Sequence, residues 1–164
     1  MTAGLAIREI AAGEFDLAWP VFREVIAGGD TYSYPQDLSL EDARAMWTTP
    51  PTRCFIAELD GEVAGVYMLR PNQLGLGDHV ANSGYMVASH ARGRGVASAM
   101  CKHSLDEARR AGFSAMQYNY VVSSNERAVR LWQQHGFAIV GRLPGAFRHA
   151  TLGPTDVFVM HRML

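Results

Sequence analysis

Apolar residues recur along the chain with the two spacings that distinguish strands from helices. Alternating or continuous apolar runs predict strands at 5–10, 53–59, 62–69, 80–87, 115–122, 137–143 and 155–162. Spacings of three to four residues predict helices at 15–27, from Ser39 to about Trp47, at 96–110, and between Ser123 and Gly136. The resulting order, β-α-α-β-β-β-α-β-α-β-β, is typical of a mixed α/β layer fold around one twisted sheet.

Helix starts carry recognisable signals in this sequence. Pro20 lies inside the first helical pattern, where it predicts either a kink or a later start. Ser39 with Asp42, and Ser123 with Glu126, have the spacing of capping boxes. We therefore expect these two serines to be the N-caps of their helices.

Turn-forming residues separate the elements. Asp60-Gly61 predicts a tight hairpin between two strands. Gly84 lies within the strand at 80–87 and indicates a bulge or a bend there. Polar loops are predicted at 31–38 and 72–78, and a further loop between the last two strands contains Phe147, Arg148 and His149.

Composition and charge narrow the class of protein. The chain has 164 residues, of which 48% are hydrophobic, so a single domain over 1–164 can bury a full core. A net charge of -1 and the absence of Lys/Arg runs argue against nucleic-acid binding. No apolar run reaches the roughly 18 residues of a membrane span, and no signal-peptide pattern is present. We expect a cytoplasmic protein without nucleic-acid or membrane partners.

The cysteines and histidines form no metal-binding pattern. Cys54 and Cys101 lie far apart and in different predicted elements, which favours reduced, mostly buried thiols. The six histidines show no H-E-x-x-H or comparable ligand spacing. We therefore expect no metal.

Residues 90–98, with the sequence HARGRGVAS, form a candidate phosphate site between a strand and a helix. Gly93 and Gly95 let the backbone approach an anion closely and adopt a positive φ. The first turn of the following helix offers unpaired N–H groups and the positive end of its dipole. Arg92 and Arg94 add positive charge, and the arginines at 109, 110, 127 and 130 also cluster around this site. An ordinary loop that contains two glycines is the alternative.

Two separated motifs in this region resemble those of the GCN5-related N-acetyltransferase superfamily. The first family pattern is [RQ]-x-x-G-x-[GA]. Residues 92–97 read RGRGVA, so Arg92, Gly95 and Ala97 match it. Its second pattern, with Asn, Ala, Leu, an aromatic residue and Gly-Phe, reads NERAVRLWQQHGF at 125–137. The resemblance extends over nearly the whole chain. It implies a mixed, mostly antiparallel sheet of about seven strands, with a bulged strand beside a central V-shaped splay, and about four helices.

The resemblance implies acetyl-CoA as the acetyl donor. The N–H groups of 93–98 are expected to hold its pyrophosphate, and the backbone of Met86 and Val87 to pair with its pantetheine arm. Asn125 is implied to contact the arm, with a simple helix cap as the alternative. The implied coenzyme contacts are Met86, Val87, Arg92, Gly93, Arg94, Gly95, Val96, Ala97, Ser98, Asn125, Ala128 and Trp132.

Direct acetyl transfer to an amine needs a donor for the carbonyl oxygen and a donor for the leaving thiolate. The family resemblance assigns the first role to the backbone N–H of Val87. Trp132 stands where many relatives carry a Tyr, and an indole N–H donates a hydrogen bond but supplies no proton. A packing role for Trp132 is the alternative, and the other candidate acids are Tyr85, Tyr118 and Tyr120.

The base for the acceptor amine is less clear from the sequence. Many relatives carry a Glu on the strand that corresponds to 80–87, and this strand has none. His79, just before the strand, titrates in a useful range. The alternative is a water relay held by Asn82, Ser83 or Asn119.

Two segments indicate the acceptor. The loop TYSYP at 31–35 resembles the acceptor-side loop of bacterial phosphinothricin-type acetyltransferases. Residues 118–125 resemble a strand of the fungal azetidine-2-carboxylate acetyltransferases, in which an Asn at the position of Asn119 helps to hold the acceptor. We expect a small amine or amino-acid-like acceptor that contacts Tyr32, Tyr34, Tyr85, Asn119 and Arg148, with Arg148 suited to a carboxylate.

Two other functions remain open at this point. A protein or peptide N-acetyltransferase needs an open groove, against which the aromatic loop argues. A non-catalytic acyl-CoA-binding module fits the absent base and Trp132. A homodimer is possible because it is common in the family.

Overall fold

The computed structural model describes residues 4–164, which fold around one seven-stranded sheet. The strands are β1 (Leu5–Ile10), β2 (Arg53–Leu59), β3 (Glu62–Pro71), β4 (Val80–Val87), β5 (Ala115–Val122), β6 (Ala138–His149) and β7 (Gly153–Met163). Their order in the sheet is β1-β2-β3-β4-β5-β7-β6. Only β4 and β5 pair in parallel. The predicted mixed, mostly antiparallel sheet is confirmed.

Helices cover both faces of this sheet. They are α1 (Trp19–Gly28), α2 (Leu40–Thr48), α3 (Val96–Arg110) and α4 (Glu126–Gln134). Successive strand residues point to opposite faces, so Ile56 and Val66 pack under α1 and α2, whereas Phe55 and Tyr67 pack under α3 and α4. The apolar stripes of the helices thus close two cores, one on each face.

Within residues 4–164, no helix combines the length and the hydrophobicity that crossing a bilayer requires.

The first helical pattern breaks at Pro20. A short 3-10 helix spans Ala12–Leu17, and α1 then begins at Trp19 with Pro20 in its first turn. Proline is tolerated at this position because the N–H that it lacks has no intrahelical partner there. Of the two predicted outcomes, the later start is the one observed.

The predicted capping box of α4 is wrong. Ser39 does cap α2, accepting a hydrogen bond from the N–H of Asp42 at 3.1 Å. Ser123, however, is still paired through its N–H with the carbonyl of Asp156 in β7. The N-cap of α4 is Asn125, whose side-chain oxygen accepts from the N–H of Ala128 at 3.3 Å.

The predicted loop with Phe147, Arg148 and His149 is also wrong. These residues form the end of β6 and pair with Thr155, Pro154 and Gly153 of β7. The sequence pattern ends before Pro144 because proline removes a ladder donor, but β6 is an edge strand, where proline is tolerated. The register shift between Leu143 and Phe147 absorbs the interruption, and the strand continues.

The splay that the resemblance implies lies between β4 and β5. These strands pair only from Val80 to Asn82 and from Ala115 to Gln117, and then diverge. β4 keeps an unbroken register against β3, so the expected bulge in β4, including the one inferred from Gly84, is wrong. The bulge is in β5, where the register against β7 shifts between Tyr118 and Val121.

Candidate active site

The divergence of β4 and β5 opens a cavity of about 820 Å³. Its walls come from β4, β5, the loop before α2, the turn before α3 and the first turns of α3 and α4. The cavity therefore reaches from the candidate phosphate turn to the aromatic loop at 31–34. This one space contains most of the predicted coenzyme and acceptor residues.

The turn before α3 has the geometry of an anion site. Gly93 and Gly95 have φ values of 80° and 79°, in the left-handed region that favours glycine. Gly95 is the N-cap of α3 and no side chain caps this helix, so the N–H groups of its first turn remain available. Because these groups line the cavity at Val96, Ala97 and Ser98, the residues present fit a diphosphate.

The arginines of this region separate into two groups. Arg92 lines the cavity, whereas Arg94, an expected coenzyme contact, pairs with Asp60 at 2.7 Å and is not part of the lining. Arg127 on α4, one of the arginines expected near this site, lines the cavity. A Cβ added at Gly93 would lie 3.3 Å from a guanidinium nitrogen of Arg127. α4 thus supplies a positive charge beside the turn.

The backbone of β4 presents an available donor to the splay at Val87. The N–H of Ala88 donates to the carbonyl of Ala64 in β3 at 2.9 Å. Because successive residues of a strand point their N–H groups to opposite sides, the N–H of Val87 faces the open side, and that of Met86 faces β3. Of the two residues expected to pair with the pantetheine arm, Val87 therefore has the available N–H.

The indole N–H of Trp132 is a further donor on this wall. The Trp132 side chain lines the cavity, is 8% exposed and packs against Tyr85 and Tyr118 with ring centroids 4.9 and 5.2 Å away. Within residues 4–164 its indole N–H has no hydrogen-bond partner, and the only buried side-chain N or O atom without a partner there is Arg44 Nε. The indole N–H therefore remains accessible for a ligand.

The three tyrosines considered as candidate acids already donate their hydroxyl protons to other protein groups. Ser104 Oγ donates to the Cys101 carbonyl at 2.7 Å, so it accepts from the Tyr85 hydroxyl at 2.6 Å. Tyr85 then accepts from Tyr118 at 2.9 Å, and Tyr120 donates to the carbonyl of Ala146. Burial raises the pKa of Tyr85 and of Tyr118. Each of these phenolic protons is engaged in a hydrogen bond to another protein group.

Both cysteines are buried and free, as the sequence predicts. Burial raises the pKa of the Cys101 thiol to about 11 and that of Cys54 to about 12. Neither thiol is suited to act as a nucleophile at neutral pH.

A polar floor lies on the α1/α2 face of the sheet, where β3, β4 and β5 run side by side. It consists of Arg70, Asn82, Gln117 and Asn119, and all but Gln117 line the cavity. The Asn119 amide accepts from Gln117 at 2.9 Å and donates to an oxygen of Asn72 at 2.6 Å. Asn82 donates to the Gln117 carbonyl at 2.9 Å, which leaves its own side-chain oxygen as an available acceptor.

Besides Arg94, two predicted site residues lie away from the cavity. His79 is exposed and precedes the end of β4 at which β4 and β5 remain paired. Arg148 is exposed on the edge strand β6, opposite Pro154. Neither belongs to the cavity lining. Ser83, a candidate for holding a water, donates instead to the Met68 carbonyl at 2.6 Å.

The aromatic loop lines the end of the cavity at which we expect the acceptor. The hydroxyl of Tyr32 donates to the carbonyl of Tyr85 at 3.1 Å, and that of Tyr34 accepts from the indole N–H of Trp47 at 3.1 Å. Burial raises the pKa of both loop tyrosines, so they stay protonated. Gly84 makes the Tyr32 contact possible, because a Cβ there would lie 2.8 Å from the Tyr32 hydroxyl oxygen.

Gly84→Ala is therefore expected to displace Tyr32 and loosen the loop. We expect a rise in acceptor KM of about tenfold, as for the loss of one hydrogen bond in a binding site, with little change in the KM for acetyl-CoA. Steady-state kinetics measure both. Tyr32→Phe is the matched variant because it removes only the hydroxyl, and an unchanged acceptor KM in both variants contradicts a role for this contact.

Four charged residues of the lining are absent from the expected contacts: Asp30, Arg70, Arg127 and Arg130. Asp30 is the single acidic residue of the lining within the described range. Arg127 follows Asn125 and Glu126 at the start of α4, and this position could indicate from the sequence that its charge lies near the anion site. Arg70 has no local signal, because it follows an apolar strand and approaches the cavity only through sheet register.

Known proteins resemble this chain over most of its length. Residues 15–137 match the model of the acetyltransferase (GNAT) family. A GCN5-related N-acetyltransferase from Kribbella flavida is 43% identical, with 98% of each chain covered and a TM-score of 0.92. A GNAT superfamily phosphinothricin acetyltransferase from Sinorhizobium meliloti, solved with AcCoA, is 17% identical. That pair covers 100% of this chain and 89% of the other, with a TM-score of 0.86, and shows the shared fold.

A curated relative matches this chain over a shorter segment. N-acetyltransferase aca1 of Schizosaccharomyces pombe is 28% identical over 103 residues, which make up 62% of this chain and 49% of that protein. The chain thus spans about half the length of the curated relative that it matches.

Proposed function

The chain belongs to the acetyltransferase (GNAT) family, and from this premise we propose that it acetylates the amine of a small, amino-acid-like acceptor by direct transfer. It is an acyltransferase with acetyl-CoA as its co-substrate. The observation that supports this acceptor class is the single cavity that joins the anion turn to a closed aromatic loop. A small acceptor fits such an enclosed end better than an extended peptide does.

The protein supplies the coenzyme site with backbone donors and positive charge. The N–H groups of Gly93 and of residues 95–98 and the dipole of α3 bind the pyrophosphate, whereas the N–H of Arg94 donates to the carbonyl of Ala91. Arg92 and Arg127 add charge from two sides. Ser98 is itself held, because its hydroxyl shares a 2.8 Å hydrogen bond with Nε2 of His135. Asn125 caps α4 beside Ala128, and both line the cavity.

Two donors on the wall act on the reacting thioester. Bound acetyl-CoA supplies the acetyl group as a thioester, whose sulfur is the leaving atom. The N–H of Val87 donates to the carbonyl oxygen as negative charge develops there. The indole N–H of Trp132 donates to the departing sulfur, which leaves as a thiolate because an indole provides no proton.

The acceptor amine must lose a proton before or during attack, and the new N–C bond forms as the C–S bond breaks. The side-chain oxygen of Asn82 accepts from the amine and orients its lone pair. A water held by Asn82 on this polar floor carries the proton to solvent, whereas the Asn119 amide is already paired with Gln117 and Asn72. His79 has no part in this proposal because it lies outside the cavity lining.

A panel assay tests the proposed function. We expect acetyl-CoA to raise the thermal midpoint of unfolding, and at least one small amine or amino acid to give acceptor-dependent thiol release. The panel includes a set of peptides with free N-termini and lysines as a second acceptor class. Tight coenzyme binding without thiol release from any small acceptor contradicts the proposal, and release by peptides alone assigns the other acceptor class.

A further inference from the structure

The polar floor carries one positive charge at the acceptor end of the cavity. Arg70 lies directly opposite Asn82 in the β3–β4 register, and Met68 and Met86 of the same strands belong to the core under α1 and α2. Alternation along each strand therefore puts Arg70 and Asn82 side by side on that face. Arg92 and Arg127, by contrast, belong to the opposite, phosphate end.

The guanidinium of Arg70 has no protein anion to neutralise it. Among residues 4–164, ten ion pairs form and none includes Arg70. Its side chain lines the cavity and is exposed to solvent there. An arginine that lines a binding cavity without an ion-pair partner is suited to bind a ligand anion, above all a planar carboxylate in a bidentate contact.

The guanidinium also lies near the aromatic loop. Burial raises the pKa of Tyr34, and the positive charge of Arg70 opposes that rise. This electrostatic effect requires the charge to be near the Tyr34 hydroxyl, which is fixed by the N–H of Trp47. Arg70 is therefore a floor residue whose charge acts on the loop, and it is the cross-strand neighbour of Asn82, the residue that offers an acceptor to an amine.

We propose that Arg70 binds the carboxylate of the acceptor and so selects α-amino and α-imino acids over simple amines. The inference rests on the proposed function and adds the residue that determines its specificity. Arg70 and Asn82 are cross-strand neighbours, which suits an acceptor whose carboxylate and amine are attached to one carbon atom. Arg148, the residue that the sequence analysis assigns to the carboxylate, is exposed and lies outside the lining.

Arg70→Gln tests this assignment with matched pairs of acceptors. Each pair is an amino or imino acid and its decarboxylated amine, for example proline with pyrrolidine, taken from the acceptor panel. We expect the KM for the acid to rise about 10- to 100-fold, as for the loss of a charge-assisted bidentate contact, and the KM for the amine to stay unchanged. The KM for acetyl-CoA should also stay unchanged. Arg70→Lys keeps the positive charge but loses the planar, bidentate geometry of the guanidinium, so we expect an intermediate KM for the acid.

Arg148→Gln is the matched control because it removes the same charge from an exposed residue outside the cavity. Calorimetric titration of each amino acid into the CoA-saturated protein gives a second readout that needs no turnover. The inference is overturned if Arg70→Gln raises the KM of the acid and of its amine equally, or if it binds the amino acid as tightly as the native protein does. It is also overturned if the native enzyme prefers the amine to the matching acid. Thiol release without carboxylate dependence overturns it while the proposed function stands, whereas amino-acid binding without any thiol release overturns only the proposed function.

Discussion

Gly95→Ala is expected to weaken acetyl-CoA binding on the order of 100-fold. Gly95 has a φ of 79° and caps α3 directly before the N–H groups that face the cavity. An alanine there either holds a left-handed conformation at a cost of about 1–2 kcal/mol or rotates the turn away from it. Rotation misdirects the amide donors, and each charge-assisted hydrogen bond to a phosphate contributes about 1.5–3 kcal/mol. Calorimetric titration of acetyl-CoA measures the effect.

Gly112→Ala is the matched control at the other end of the same helix. Gly112 has a φ of 86°, and a Cβ there meets no atom within 4 Å. Both variants should therefore lose about 1–2 kcal/mol in the free energy of unfolding, but only Gly95→Ala should lose coenzyme affinity. Equal affinities in the two variants would show that the turn before α3 does not hold the phosphates.

Trp132→Phe is expected to lower kcat by about 10- to 100-fold, the range for loss of a hydrogen bond to a charged group. The phenyl ring keeps most of the contact with Tyr85 and Tyr118, and only the N–H on the cavity wall disappears. Because the donor acts on sulfur charge that develops during the reaction, the dissociation constant of acetyl-CoA should change little. Single-turnover rates and equilibrium titration separate the two quantities.

Trp19→Phe makes the same chemical change on α1, outside the cavity lining, and should leave kcat unchanged.

The native enzyme should also show no fall in kcat on the alkaline side of neutrality. Trp132 has no proton to lose there, and burial raises the pKa of Tyr85 and Tyr118. An alkaline decline, or a Trp132→Phe variant with native kcat, would assign the leaving group to a titrating acid.

Local patterns were sufficient for most of the fold and for the coenzyme end of the site. The helix at Val96–Arg110 and the strands at Leu5–Ile10 and Val80–Val87 have their predicted ends, since apolar spacing sets these elements directly. The glycines and arginine of 92–97 are contiguous in the chain. One short turn and one helix start therefore determine the anion site, and no distant residue is needed to recognise it.

The acceptor end depends on pairings that no local pattern contains. The bulge in β5, the continuation of β6 past Pro144 and the approach of Tyr32 over Gly84 all follow from contacts between distant segments. Arg70 reaches Asn82 only because β3 and β4 pair in one particular register.

The spacing of neighbouring residues is enough to predict most of the elements, the apolar faces that form the cores and the phosphate turn. Which donors and acceptors stay free depends on contacts between distant segments, which leave the N–H of Val87 available but not that of Met86, and the oxygen of Asn82 but not the amide of Asn119. A polar group binds a ligand only when no protein group has already paired with it, and such pairing is a property of the folded molecule.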